Sequence, residues 1–140
     1  MTDKEIRDLL EDGSCTLCTV RDGQVLLRTF GRGIGPALAL LEQTPELLRG
    51  AEVYDTIVGK AAASLFILGG ARAVYGRTMS VSARQLLTQY GVETSFDILA
   101  EQIINRQGTG LCPFEQAVLE TERPEDCLPV IRETLRKLRN

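Results

Sequence analysis

The sequence predicts an α/β fold, a three-layer α/β/α sandwich built on a mixed sheet. Three observations favour this class: an amphipathic helix opens the chain, a hairpin follows it, and helices then alternate with strands over the second half. The chain has 140 residues, the usual length of one domain, and shows no linker, low-complexity segment or internal repeat. We therefore expect residues 1–140 to form a single domain.

A capping box and a hairpin turn define the first elements. Thr2 and Glu5 have the spacing of a capping box, which predicts a helix that begins directly after Thr2. The dipeptide Asp22-Gly23 separates two strand-like runs, residues 14–20 and 24–30, and such a dipeptide is a strong hairpin signal.

Proline and glycine mark the entry to the second helix. Pro36 suits the first helical position, so we predict a helix over residues 37–48. The glycines at positions 31, 33 and 35 do not match the spacing of a dinucleotide-binding loop, and the preceding strand belongs to a hairpin. They are interpreted as turn residues.

Helices and strands alternate after residue 50. The predicted strands span 51–54, 71–76 and 92–96, and the predicted helices span 57–68, 82–91, 113–120 and 125–138. Ser82 and Gln85 have capping-box spacing for the second of these helices. Residues 97–111 have poor periodicity and are predicted to form a functional loop.

Composition excludes several classes of function. Sixteen Lys and Arg against nineteen Asp and Glu give a net charge of −3 without a basic stripe, so we expect no nucleic-acid or membrane partner. The chain has no histidine, which excludes His-based catalytic pairs and His-containing zinc sites. The N-terminus lacks an apolar signal region and no apolar run could span a bilayer, so a cytoplasmic protein is expected.

Two of the four cysteines form a C-x-x-C motif. Cys15 and Cys18 lie in a predicted strand, where side chains three positions apart point to opposite faces, so their sulfurs should diverge. They are interpreted as small core residues rather than as a redox or zinc motif.

The segment around Lys60 is the first candidate for a binding site. Lys60 opens an otherwise uncharged helix, at the end where the helix dipole favours anions, so an anion is expected beside it. Asp55 could cap this helix or pair with Lys60. The alternative is that Asp55 is only an N-cap and that Lys60 extends to water.

The second candidate is the segment that precedes Pro113. Pro113 suits a first helical position, which makes Cys112 the N-cap and Glu115 the third residue, as in a capping box with sulfur in place of a hydroxyl. The helix dipole would stabilise the Cys112 thiolate. Ahead of it, Gly108-Thr109-Gly110 could offer backbone N–H groups to a phosphate and Arg106 a planar fork, although these glycines could also serve only to turn the chain.

These two segments carry a family resemblance that spans essentially the whole chain. D-x-x-V-G-K-A-A-A at 55–63 and I-N-R-x-G-T-G-L-C-P-x-E at 104–115 resemble the paired signatures of a small family of short, mostly bacterial proteins of unknown function. The resemblance implies a cytidine-deaminase-like fold with a pocket, and it implies no known activity.

The resemblance also implies a departure from active zinc deaminases. Those enzymes carry H-x-E or C-x-E at the start of one helix and P-C-x-x-C at the start of the next. Here the first of these helices begins with Val58-Gly59-Lys60, and no cysteine begins the next. Cys112 and Glu115 come one strand too late to replace the missing pair. A metal held by Asp55, Cys112 and Glu115 is the alternative, but zinc prefers His and Cys ligands and Lys60 adds an opposing charge, so we expect no metal and no cofactor.

The leading hypothesis is therefore a zinc-free, deaminase-like protein that binds a phosphorylated, nucleotide-like small molecule. The candidate ligand-binding residues are Gly59, Lys60, Asn105, Arg106, Gly108, Thr109 and Gly110. Asp55 and Glu115 would accept hydrogen bonds from the sugar or base. The alternatives are an enzyme that uses Cys112 as nucleophile, with Glu115, Asp55 or Lys60 as base, and an interaction subunit with a vestigial pocket. The oligomeric state is left open, with a homodimer as one form.

Overall fold

The computed structural model of the protein describes residues 1–139. Its elements in chain order are α1 Asp3–Glu11, β1 Leu17–Arg21, β2 Gln24–Thr29, α2 Gly35–Gln43, a 3-10 turn Pro45–Leu47, β3 Glu52–Val58, α3 Lys60–Leu68, β4 Ala73–Ser80, α4 Val81–Gln89, β5 Glu93–Ala100, α5 Pro113–Ala117 and α6 Pro124–Arg139.

The five strands form one mixed sheet in the order β2-β1-β3-β4-β5. β1 pairs antiparallel with both β2 and β3, whereas β3, β4 and β5 run parallel. α1 packs on one face of the sheet, and α2, α3, α4 and α6 form the layer on the other face. The predicted three-layer α/β/α class with a mixed sheet is confirmed.

The predicted capping box and hairpin turn are confirmed, whereas the first strand begins at Leu17 and not at residue 14. Thr2 accepts a hydrogen bond from the backbone of Glu5, and the Glu5 side chain accepts one from the backbone of Thr2, which completes the capping box of α1. Asp22 and Gly23 both have positive φ, at 52° and 77°, as a type I′ hairpin turn requires.

The second helix is shorter than predicted because proline interrupts it. α2 ends at Gln43, and the chain continues through Thr44, with φ −138° and ψ 56°, into the 3-10 turn that begins at Pro45. Pro45 has no N–H for the helical ladder, and a residue before proline is disfavoured in the helical conformation.

All three parallel strands are longer than predicted. β3 continues through Ile57 and Val58, which pair with Thr78 and Met79 of β4, so α3 begins at Lys60 rather than at residue 57. β5 runs on to Ala100, paired with Ser80. Pairing between neighbouring strands, which local sequence does not reveal, extends these segments.

The start of α4 also differs from the prediction. Ser80, two residues before the predicted cap, is the N-cap, and its Oγ accepts a hydrogen bond from the N–H of Ala83 at 3.0 Å. Ser82 lies inside the helix with its hydroxyl 3.2 Å from that of Ser80. The longer β4 places Ser80 at the junction of strand and helix.

The two cysteines of the C-x-x-C motif lie on the same side of the sheet, which corrects the prediction that they diverge. Cys15 and Cys18 both belong to the core under α1, together with Ile6, Tyr54 and Tyr75. Cys15 precedes β1, so the alternation of side chains along a strand does not apply to it. Both thiols are free and buried, as expected for core residues.

The main core lies on the opposite face, between the sheet and the layer of α2, α3, α4 and α6. Phe66 and Leu65 of α3 are fully buried there, and Ile131 anchors α6. Within residues 1–139, no helix is both long enough and apolar enough to cross a membrane.

Candidate functional site

A cavity of about 700 Å³ opens at the C-terminal end of β3. Its lining comes from the start of β1, the turn before α2 and the start of α2, the end of β3, the first turn of α3, the loop after β5, α5 and the end of α6. Ligands of open α/β sheets bind outside the carboxyl ends of the strands, and this volume is typical of small-molecule pockets. The cavity is therefore the candidate functional site.

Small and apolar side chains form much of the cavity wall. Ala37 of α2 and Ala61 and Ala62 of α3 line it, and their short side chains leave open space between the two helices and the sheet. Leu17 and Phe114 add larger apolar surface. Such walls favour a ligand with a flat or apolar part.

Glu115 of α5 caps the N-terminus of α3. Its Oε1 accepts a hydrogen bond from the backbone N–H of Lys60 at 2.7 Å, and its Oε2 accepts one from Ala61 at 2.8 Å. The side chain is buried, with 8% of its surface exposed. Two otherwise unpaired N–H groups and the positive end of the helix dipole thus compensate its charge.

This contact corrects the predicted capping box of α5. Cys112 is the N-cap, as expected, but its side chain makes no capping hydrogen bond, and its own N–H donates to Ile103 at 2.9 Å. Glu115 caps a different helix because the tertiary fold brings the unpaired N–H groups of α3 within its reach.

Gly59 makes the close approach of Glu115 to α3 feasible. A Cβ atom at Gly59 would lie 2.5 Å from Oε1 and 2.7 Å from Oε2 of Glu115, closer than nonbonded atoms approach. Gly59 has φ −97° and ψ −178°, a conformation that other residues also adopt. Close approach of the carboxylate, and not backbone strain, therefore explains this glycine.

The sequence predicted the anion of a ligand beside Lys60, but the anion at the start of α3 in this structure is the carboxylate of Glu115. The ammonium group extends away from it, and its Nζ donates to the carbonyl of Leu119 at 3.4 Å. Within the described chain, the Lys60 side chain is not part of the cavity lining and forms no ion pair with Asp55.

Asp55 lies within β3 and lines the cavity, so it does not cap α3. The side chain is half-buried, and its Oδ1 accepts a hydrogen bond from the N–H of Thr56 at 2.8 Å. Burial raises the pKa of Asp55 to about 7, against the opposing effect of the N–H groups of Thr56 and Ile57. A carboxyl group that titrates near neutral pH therefore faces the cavity.

The loop after β5 folds back on itself as a small hairpin. Ile104 and Leu111 form an antiparallel bridge, and the N–H of Asn105 donates to Gly110 at 2.8 Å. The backbone and side-chain oxygens of Asn105 accept from the N–H groups of Gly108 and Thr109, each at 3.1 Å.

These bonds change the role expected for the glycine-rich segment. The N–H groups of Gly108 and Thr109, considered as phosphate donors, are bonded within the loop, and residues 108–110 are not among the cavity-lining residues of the described chain. Asn105 does line the cavity, and its side chain orders the tip of the loop.

Two arginines from separate segments of the chain line the cavity. Arg106 comes from the loop after β5 and was expected at the site, whereas Arg32 comes from the turn before α2. Both residues are exposed. Arg32 was not among the residues predicted for the site, because the glycines around it were interpreted only as turn residues. Its position as a single cation between two glycines was an available signal.

Cys112 differs from the other three cysteines in its environment. It is half-buried and lines the cavity, whereas Cys15, Cys18 and Cys127 are buried in the two cores. Burial raises the pKa of each of those three thiols, that of Cys18 to about 11. Cys112 is therefore the thiol best placed to meet a ligand or reagent.

The acidic and thiol groups of the site do not form a metal-ligand set. Among residues 1–139, no three His, Cys, Asp or Glu side chains come together in a way that could hold a metal ion. Within the site, the carboxylate of Glu115 is bound to the backbone of α3.

Solved structures that are similar to this chain include a close match and a weaker one. The DUF1893 family protein TM1506 from Thermotoga maritima, a crystal structure at 2.70 Å resolution, is similar with a TM-score of 0.81 and 28% identity over 96% of this chain and 88% of that chain. A dCMP deaminase from the cyanophage S-TIM5, crystallised in apo form, is more distant, with a TM-score of 0.48 and 14% identity over 69% of this chain and 99% of that chain.

Comparison of sequences identifies the family. No curated protein matches the chain. The profile of the family described as "Domain of unknown function (DUF1893)" matches residues 5–135, which include β1 to β5 and both segments around the cavity. The chain therefore belongs to the DUF1893 family, whose function is unknown.

Proposed function

We propose that this protein binds a phosphorylated, nucleotide-like small molecule in the cavity at the end of β3. The observation that carries the proposal is the composition of that one cavity, which combines apolar walls, a carboxyl group and two arginines in about 700 Å³. A nucleotide has the matching parts: a flat base, hydroxyl groups and an anionic phosphate.

The arginines supply the anion-binding part of the proposed site. Arg32 and Arg106 are exposed where they line the cavity, so their guanidinium groups can reach a phosphate that remains partly in water. Guanidinium groups bind phosphate oxygens in a bidentate manner. In this proposal they take the role that the sequence analysis gave to Lys60 and to the backbone of residues 108–110.

The walls of the cavity supply the part that holds the base. The alanines at the start of α3 leave room for a planar ring, and Leu17 and Phe114 provide apolar contact. Glu115 has a structural task in this arrangement, since its carboxylate holds α5 against α3 and thereby closes one wall. Asp55 is left as the cavity carboxylate that can meet a donor of the ligand.

Isothermal titration calorimetry tests the proposal with a nucleoside monophosphate, the same nucleoside without phosphate, and inorganic phosphate. We expect the monophosphate to bind more tightly than either part alone. Arg106→Ala and Arg32→Ala should each lower the affinity for the monophosphate roughly tenfold, as expected for a lost charge-assisted contact.

A matched control is Arg49→Ala, which removes an exposed arginine side chain that lies outside the cavity lining. This variant should bind like the parent. If no monophosphate of any base binds the parent protein, or if Arg106→Ala and Arg32→Ala bind as well as Arg49→Ala, the proposed function is wrong. Turnover of the nucleotide that depends on Cys112 would instead favour the nucleophile hypothesis.

A further inference from the structure

The proposed site contains an acidic group, Asp55, whose charge is compensated by neighbouring backbone N–H groups and not by a cation of the described chain. Glu115 accepts two backbone N–H groups from the distant start of α3, whereas Asp55 is served by the backbone that follows it: its Oδ1 accepts the N–H of Thr56 at 2.8 Å, and the N–H of Ile57 also favours its charged form. Within residues 1–139, no lysine or arginine lies within ion-pair distance of the Asp55 carboxylate. Its carboxyl group faces the cavity instead.

Folding gives no reason for an aspartate at this position. Aspartate is disfavoured in strands, and Asp55 lies within β3, opposite Leu17 of β1 and Gly76 of β4. Withdrawal of a carboxylate from water without a partner is costly. A group kept at such a cost in a cleft is a candidate for ligand recognition, and the raised pKa of Asp55 agrees with this interpretation.

We propose that Asp55 recognises the base of the bound nucleotide and that this base is guanine, an inference that rests on the proposed function. An ionised carboxylate has only acceptors, so it pairs best with two donors side by side. Guanine offers such an edge, since its ring N1–H lies next to its exocyclic amino group. Adenine and cytosine each place an acceptor nitrogen beside their amino group, and that acceptor would face the carboxylate.

The geometry of Asp55 suits a paired contact. Oδ1 accepts one N–H from Thr56, and a carboxylate oxygen has a second lone pair available. Among the described residues, no protein donor lies within hydrogen-bond distance of the Asp55 Oδ2 atom apart from the local backbone. Two donors from a ligand would therefore add to the limited compensation that the local backbone gives.

Calorimetry with GMP, IMP, AMP and XMP tests this inference on the parent protein. IMP is the most stringent comparison because it differs from GMP only by the absence of the amino group. We expect GMP to bind at least about tenfold more tightly than IMP or AMP, the discrimination typical of a bidentate contact to a base.

The variant Asp55→Asn provides a reversal. The asparagine side chain keeps one acceptor and gains one donor, so the variant should lose the preference for GMP over IMP. It should also bind XMP more tightly than the parent does, because xanthine has a carbonyl group in place of the amino group of guanine. Gain of XMP binding also shows that the variant is folded. If Asp55 served only in folding, Asp55→Asn would lower the affinity for all four nucleotides equally.

The outcomes separate the two proposals. Equal binding of GMP, IMP and AMP to the parent, or a preference for GMP that Asp55→Asn retains, overturns the assignment of guanine while nucleotide binding stands. Absence of binding by all four nucleotides overturns both. Tighter GMP binding that Asp55→Asn converts into tighter XMP binding supports the inference.

Discussion

Removal of the Glu115 carboxylate should destabilise the protein more than any exposed carboxylate would. Glu115→Ala leaves the N–H groups of Lys60 and Ala61 without their partner, and the bond to Ala61 is buried. A buried donor left unpaired costs about 1–3 kcal/mol, and the cap also interacts with the helix dipole. We expect a loss of about 3 kcal/mol, which lowers Tm by ~10 °C at ~2.1 cal/mol/K of unfolding entropy per residue.

Gly59 allows the same contact to be broken from the other side. Gly59→Ala places a Cβ atom 2.5 Å from Oε1 of Glu115, so the carboxylate must move away from α3. The free energy of unfolding should fall by about 2 kcal/mol in the parent background, by loss of the same hydrogen bonds. In the Glu115→Ala background the same substitution should cost almost nothing, because the group that it displaces is absent.

Urea denaturation monitored by circular dichroism gives the free energy of unfolding for each member of this cycle. Glu120→Ala, at an exposed position just after α5, is the control and should stay within about 0.5 kcal/mol of the parent. Additive effects of Gly59→Ala and Glu115→Ala, or a Glu115→Ala variant as stable as Glu120→Ala, would refute the capping argument.

Three further predictions concern side chains at or near the cavity. Brief iodoacetamide treatment at neutral pH should label Cys112 before the three buried thiols, whose pKa values are raised by burial. A bound ligand should slow the labelling of Cys112. Peptide mapping that shows another cysteine labelled first would contradict this prediction. The pKa of Asp55 is raised from 3.8 to about 7, so between these pH values the folded state keeps a proton on Asp55 that the unfolded state has lost. Asp55 should therefore make the parent lose stability as pH rises from about 4 to 7. A rise of this size in the pKa corresponds to a loss of about 4 kcal/mol in the free energy of unfolding, which solvent screening in the open cavity reduces. The difference in unfolding free energy between the parent and Asp55→Asn should disappear at low pH, where Asp55 is protonated in both the folded and the unfolded state. Lys60→Ala should lower the free energy of unfolding, measured with heat or urea, by less than about 1 kcal/mol, because the Lys60 Nζ contacts only an exposed carbonyl. The same variant should bind nucleotide as well as the parent does. A loss of affinity would instead place Lys60 at the phosphate.

Local signals in the sequence were sufficient for several elements. The capping box of Thr2 and Glu5 and the type I′ turn at Asp22-Gly23 are interactions between residues close in the chain, so their residue types predict them directly. The alternation of helices and strands likewise predicted the layers of the fold. Local residue types did not predict the boundaries that depend on pairing between strands, such as the continuation of β3 to Val58.

The two segments that carry the candidate site were also recognisable in the sequence, but the partners of their side chains were not. Asp55, Arg106, Cys112 and Glu115 do line one cavity. That Glu115 caps α3 instead of its own helix depends on a contact across 55 positions of the chain, and the need for Gly59 follows from the same contact. The sequence by itself identified Asp55, Arg106, Cys112 and Glu115 as residues with suitable chemistry for a site. Only the tertiary structure decided that Glu115 satisfies the start of α3 while Asp55 faces the cavity and forms no ion pair with the described residues, because contacts between distant segments form where the fold places them.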